Sequence, residues 1–275
     1  MLYYKIVNYT QMTSNLPTSL RSKLLRINSA ERLKAAAYGY TSSNFRLDYN
    51  LNIPDLVKVH SIVLKSCSIP NTQYNIGLEN NSFLFSTGGV LSTIPLLVGN
   101  YTIAELITAL TTSAQAIAVG MSIVIQSPTG KLEFSFTTNS RLYTSSEGNE
   151  LGDTLGLTTG SGVDVPQFLA PSLPNLTGLQ NVYIVSRTLS GGAGLIDPKL
   201  NQLAIFAHVQ MISPFGTYNH YISPEERSDE IFFPSDRTLG EVDIALVNDQ
   251  GVVIDLQGLE WNCIIKIYYH VNSIM

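Results

Sequence analysis

Residues 240–270 read GEVDIALVNDQGVVIDLQGLEWNCIIKIYYH, and this stretch decides the fold. Val242, Ile244 and Leu246 recur at every second position, the repeat of a strand with one buried face. Asn248 to Gly251 turns the chain, because Asn, Asp and Gly tolerate turn conformations. Trp261, Cys263, Ile265, Ile267 and Tyr269 then lie on one face of a final strand. GVVIDL between them carries a strand signal, as do NVYIVSRTL, LNQLAIFAHVQMI, GTYNHYI and EIFFP earlier in the chain, so about six strands follow residue 180.

Two more strands are expected earlier. SSNFRLDYNLNIP places Phe45, Leu47, Tyr49, Leu51 and Ile53 at strict period two. VKVHSIVLKSCSIP is more densely apolar, which predicts burial on both faces or a bulge, and Ile69-Pro70-Asn71 ends it. Between these groups the period changes. FLFSTGGVLSTIPLLVGN reads as a hairpin, and the next twenty residues put Ile103, Leu106, Ile107, Leu110 and Ile117 on one helical face. Thr102 and Glu105 have capping-box spacing, and Gly120 supplies a left-handed stop. A second hairpin follows, with Ile123 and Ile125 facing Leu132, Phe134 and Phe136 across a type I turn at Ser127-Pro128-Thr129-Gly130. Residues 148–178 read as loops, with LGDTLGL as a short packed turn.

Eight strands with a single clear helix predict a mainly β chain, a single jelly-roll β-sandwich with an inserted small α+β domain. The expected boundaries are a basic N-terminal arm at 1–40, the jelly roll at 41–77 and 180–275, and the insertion at 78–179.

At 275 residues the chain can bury a large core. Only 13% of residues are charged, about half the usual quarter, which suits surfaces made for packing on other subunits. The net charge of −5 conceals an asymmetry: Lys5, Arg21, Lys23, Arg26, Arg32 and Lys34 face Glu31 alone, a charge of +5 over residues 1–40. Such an arm can bind nucleic acid or an acidic neighbouring subunit, or simply be solvated. Cys67 and Cys263 match no metal-ligand spacing and read as buried thiols. The first residues have neither the charged start nor the apolar core of a signal peptide, and no stretch is long and apolar enough to span a membrane, so synthesis and folding in a cytoplasm are expected. The sequons at Asn8, Asn80, Asn100 and Asn175 are what chance supplies in an Asn/Ser/Thr-rich chain.

No nucleophile elbow, HExxH helix, phosphate-binding loop, dinucleotide fingerprint or Cys-His cluster is present. His60, His208, His220 and His270 sit in strand patterns with no carboxylate at ligand-like spacing. The acidic run PEERSDE, Pro224 to Glu230, reads as a solvated connection or a subunit contact rather than a calcium loop. The chain is therefore expected to be no enzyme, with no catalytic, metal-binding or cofactor-binding residues and no cofactor.

Several motifs, in order, carry a resemblance. Asn28-Ser29-Ala30-Glu31-Arg32, Ser42-Ser43-Asn44-Phe45, and Ile69-Pro70-Asn71-Thr72-Gln73-Tyr74-Asn75-Ile76 follow one another; GNYTIAELITAL lies within Pro95 to Leu110, and GVVIDLQGLEWNCIIKIYY closes the chain. This series resembles the minor capsid, or penton, proteins of virophages and the related Maverick/Polinton-type viruses. The resemblance implies a virion protein standing as a homopentamer at the icosahedral vertices, its insertion facing outward, beside a double-jelly-roll major capsid protein. Two other readings share the fold: a host-attachment or glycan-binding jelly-roll module, and a cupin-type enzyme, which needs histidines converging on a metal.

Overall fold

The computed structural model describes residues 20–31, 40–48, 58–190, 204–224 and 229–270. Two compact units result, one from the described residues up to Thr72 and from Leu179 onward, the other Gln73–Gly178. Strands β1 (Leu20–Asn28), β2 (Asn44–Asp48) and β3 (Val59–Pro70) open the first unit. The second holds β4 (Ser82–Thr87), β5 (Val90–Pro95), α1 (Ile103–Thr111), α2 (Ala114–Ala118), β6 (Ser122–Ile125), β7 (Leu132–Leu142) and β8 (Val165–Leu169). The chain returns to the first unit through β9 (Asn181–Val185), α3 (Arg187–Ser190), β10 (Ile205–Gln210), β11 (Tyr218–Ile222), β12 (Ile231–Arg237), β13 (Glu241–Val247) and β14 (Asn262–His270).

The first unit has two antiparallel sheets, one ordered β1-β14-β3-β11 with β12 also on β3, the other β10-β9-β13-β2. Lettering the strands B to I along the chain, with β11 and β12 sharing position G, turns these orders into B-I-D-G and F-E-H-C. That is the two-Greek-key arrangement of a jelly roll. The sheets meet over one core that takes Ile27, Ile62 and Ile265 from the first and Phe45, Ile184 and Val242 from the second. GVVIDL is not a strand; it makes one bridge, Val247 with Val253, and sends Ile254 and Leu256 into the core.

The N-terminal boundary differs from expectation. Leu20–Asn28, inside the stretch 1–40 read as an arm, is strand B, paired residue for residue with β14 from Leu20–His270 to Asn28–Asn262. Its signal was hidden because β1 is an edge strand whose outer positions carry Arg21, Lys23 and Arg26, and charged edges are how sheets avoid pairing with other chains. Lys5, Arg32 and Lys34, like Tyr49, Leu51 and Ile53, lie outside the described residues.

Trp261 is 1% exposed and ties the sandwich together. Its indole N–H donates to the Ser42 carbonyl at 2.8 Å, and its ring packs at 6.1 Å on Phe45 of the opposite sheet. Its backbone N–H donates to the Ser29 hydroxyl at 2.9 Å, and its carbonyl accepts the Ser29 N–H at 3.0 Å. Ser29 in turn donates its hydroxyl to the Glu260 carboxylate.

In the second unit the sheet order is β5-β4-β7-β6, with β8 on β7. Gly88 and Gly89, with φ of 56° and 80°, close the β4–β5 hairpin, as a type I′ turn demands. Phe83 stacks on Phe85 and on Phe134 at 5.9 and 6.0 Å. Leu151, Leu155 and Leu157 of the packed turn are fully buried beneath. The predicted helix is broken in two. Thr108, Thr111 and Thr112 hydroxyls bond back to helix carbonyls, and Ser113 starts afresh by capping Ala116 N–H at 3.2 Å, the competition by which Ser and Thr end helices. The break leaves Ile117 67% exposed, off the expected buried face. Gly120, at φ 59°, completes the stop: Met121 N–H reaches Ala116 O at 2.8 Å and Gly120 N–H reaches Ile117 O at 3.1 Å. The β6–β7 connection is closed by Gly130 N–H on Gln126 O at 2.7 Å, one residue wider than the type I turn expected.

Trp261→Ala should destabilise the first unit by about 3–5 kcal/mol, read by chemical denaturation; an unchanged midpoint would make the indole a mere surface group. Removing residues 1–40 should prevent cooperative folding because it strips β1 from β14, read by the loss of a cooperative thermal transition; a truncated chain that melts like the full one would show β1 to be dispensable.

Candidate functional site

Two of the four histidines make local contacts. His208 on β10 meets Asn181 Oδ1 through Nε2 at 2.9 Å and stacks on Tyr183 at 5.1 Å, while His220 on β11 stacks on Tyr218 at 6.4 Å. The other two converge. His60 on β3 and His270 at the end of β14 have ring centroids 5.0 Å apart, and both turn Nδ1 toward Asp236 of β12, at 3.6 and 2.7 Å. Phe232 closes one side, edge-on to His60 at 5.8 Å. The three side chains are each about one-third exposed.

Backbone irregularity creates this convergence. Between the pairs Ser61–Tyr268 and Val59–Tyr269, His60 has no partner on β14, so β3 carries a bulge there. Val59 and Ile62 both face the core; with strict alternation both could not, and the extra residue takes up the difference, leaving His60 partly exposed and Ser61 buried against Glu230. On β12 the pairing jumps from Phe232–Ser61 to Arg237–Val59, looping out the residues up to Asp236. Positions 60, 236 and 270 have no motif spacing, and the one hint in the sequence is the broken alternation of VHSIV.

Of the acidic run, Glu225, Glu226, Arg227 and Ser228 lie outside the described residues. Glu230 accepts the Ser61 hydroxyl. A shallow groove of about 380 Å³ in the second unit is lined by Gln126, Thr129, Gln167 and Leu169, with Glu133 its one ionisable group, and a lone carboxylate offers no acid/base pair.

Cys67 and Cys263 face each other directly across β3 and β14 as free thiols. Burial pushes the Cys67 thiol up to about 12, against a weaker backbone hydrogen bond, and burial also holds Cys263 well above the ordinary range. Asp243 of β13 works the other way. Burial opposes its charge, yet the Thr188 hydroxyl and N–H, at 2.6 and 2.9 Å, and the Arg187 N–H, at 3.2 Å, outweigh it and lower its pKa. The carboxylate thus caps α3 and fastens it to strand H. A depressed folded-state pKa contributes stability that is complete above the unfolded value of about 3.9 and is lost as pH falls through the folded one. Asp243→Asn should therefore cost about 1–2 kcal/mol at neutral pH and flatten the acid limb of the stability curve; an unaltered acid limb would show the capping to be unimportant.

Large apolar side chains stand out on the first unit: Ile212 (79% exposed), Ile222 (76%), and, less so, Val252 and Phe232. Ile222 and Phe232 belong to the two segments of strand G, at the edge of the B-I-D-G sheet.

No protein-family model matches the sequence, and no curated protein does. Among solved structures, the mavirus penton protein is similar in fold, with a TM-score of 0.50 at 8% identity over 91% of this chain and 99% of that one. A chain in the cryo-EM structure of the Sputnik virophage gives a TM-score of 0.44 at 12% identity, covering 91% and 98%. At 8% identity the likeness is one of fold, and in sequence it runs across the stretches that make up both units.

Proposed function

We propose that this chain is a structural virion protein: the penton subunit of an icosahedral capsid, forming homopentamers at the vertices and contacting a double-jelly-roll major capsid protein. The observation that carries the reading is a jelly roll with an insertion between strands D and E, supported by a likeness of fold to the mavirus penton protein over 91% of this chain and 99% of that one. The order of motifs at both ends and in the insertion points the same way.

The surface supports it. A vertex subunit must bind a copy of itself on either side through different patches, as cyclic symmetry requires. Low charge and exposed apolar side chains along strand G suit such contacts. The basic surplus near the N-terminus is partly the edge of the sandwich itself, since Arg21 and Arg26 are exposed on β1. We read that edge as facing an acidic neighbouring subunit, with packaged DNA the second choice.

Light scattering on the purified full chain, alone and mixed with the major capsid protein, tests the reading. The expected species is a pentamer, at least in the mixture, and Ile222→Asp should abolish assembly without shifting the melting temperature. A chain that stays monomeric and never enters shells would contradict it.

A further inference from the structure

We propose that His60, Asp236 and His270 bind one divalent transition-metal ion, zinc being the best match to the donors. The inference is independent of the capsid reading. Among the described residues these three offer one ligand atom each, all within 4.8 Å of one another. The atoms already face inward: both Nδ1 atoms are turned to the same carboxylate.

The donor chemistry favours a cation at their centre. A single carboxylate makes one good hydrogen bond here, to His270 at 2.7 Å, and leaves His60 at 3.6 Å, too far for another. A metal among the three would take one lone pair from each, with the proton of the His270 hydrogen bond moving from Nδ1 to Nε2 or to water. Two imidazoles and a carboxylate form a common set for zinc and its neighbours, at about 2.0–2.2 Å from the ion. The bulge on β3 and the irregular pairing of β12 bring His60 and Asp236 beside His270, with their ligand atoms within 4.8 Å of one another. Phe232 walls one side.

Three protein ligands leave a fourth position for water or for a side chain of a neighbouring molecule. The ion would link three strands, D, I and the second segment of G. That segment is joined to β3 by the pairs of Ile231, Phe232 and Arg237, so a clamp there would hold its looped-out residues to the sheet.

The test uses the full chain, free of any affinity tag and stripped with chelator. Titration with zinc chloride should show one ion per chain at micromolar affinity or tighter, and raise the melting temperature by several degrees. Cobalt(II) should give the visible absorption of a low-coordinate N/O site. Asp236→Asn and His270→Gln, each checked for an unchanged circular dichroism spectrum, should weaken zinc binding by at least about tenfold and abolish the thermal shift. If either variant misfolds, His60→Gln takes its place. Wild-type protein without saturable one-to-one binding, or variants that bind zinc as the wild type does, would overturn the proposal.

Discussion

The sandwich depends on the burial of the last strand. β14 lies between β1 and β3, so a sheet that begins near residue 20 can be completed only by residues 262–270. Cys263, Ile265 and Ile267 fill the core from this central position, and Trp261 at its start reaches across to Ser42 and Phe45. Contacts of such long sequence separation reward the chain only after large loops close, which makes a fold of this kind slow to form. The density of groups meeting at Trp261 is the compensation, since it joins both sheets and the turn after β1.

The same logic explains where the insertion sits. A D–E connection already links two different sheets, and lengthening a loop costs only about 0.6 kcal/mol per doubling. What the inserted segment needs is a core of its own. It has one in the stacked Phe83, Phe85 and Phe134, the leucines beneath them and a helix fixed by the Thr102–Glu105 capping box, whose bonds to the threonine also lower the Glu105 pKa. Each unit thus has a hydrophobic core of its own.

Much of this was legible in the sequence, because half-buried strands announce themselves by alternation; the run from Val242 to Tyr269 is the clearest case. Three features were not, each for a physical reason. β1 is an edge strand, and its arginines and lysine look like a solvated arm. The helix divides at Ser113 because hydroxyl-to-carbonyl bonds compete with propagation, which apolar spacing does not register. The His60, Asp236 and His270 cluster exists because two ladders are irregular; a bulge was one reading of the apolar run around His60, but nothing in that run names the distant residues it meets. The cysteines are similar: distant in sequence, they are directly opposed across β3 and β14.

A sandwich stabilised through a central strand, with an insertion that has a core of its own, fits the proposed role of one among several identical blocks in a closed ring. The most direct test of that claim is a cryo-EM reconstruction of purified particles that contain the chain. The account predicts five copies of the jelly roll around each fivefold axis, with β1 and strand G at the subunit boundaries. Vertices built from another protein, with this chain elsewhere or absent from the shell, would contradict it.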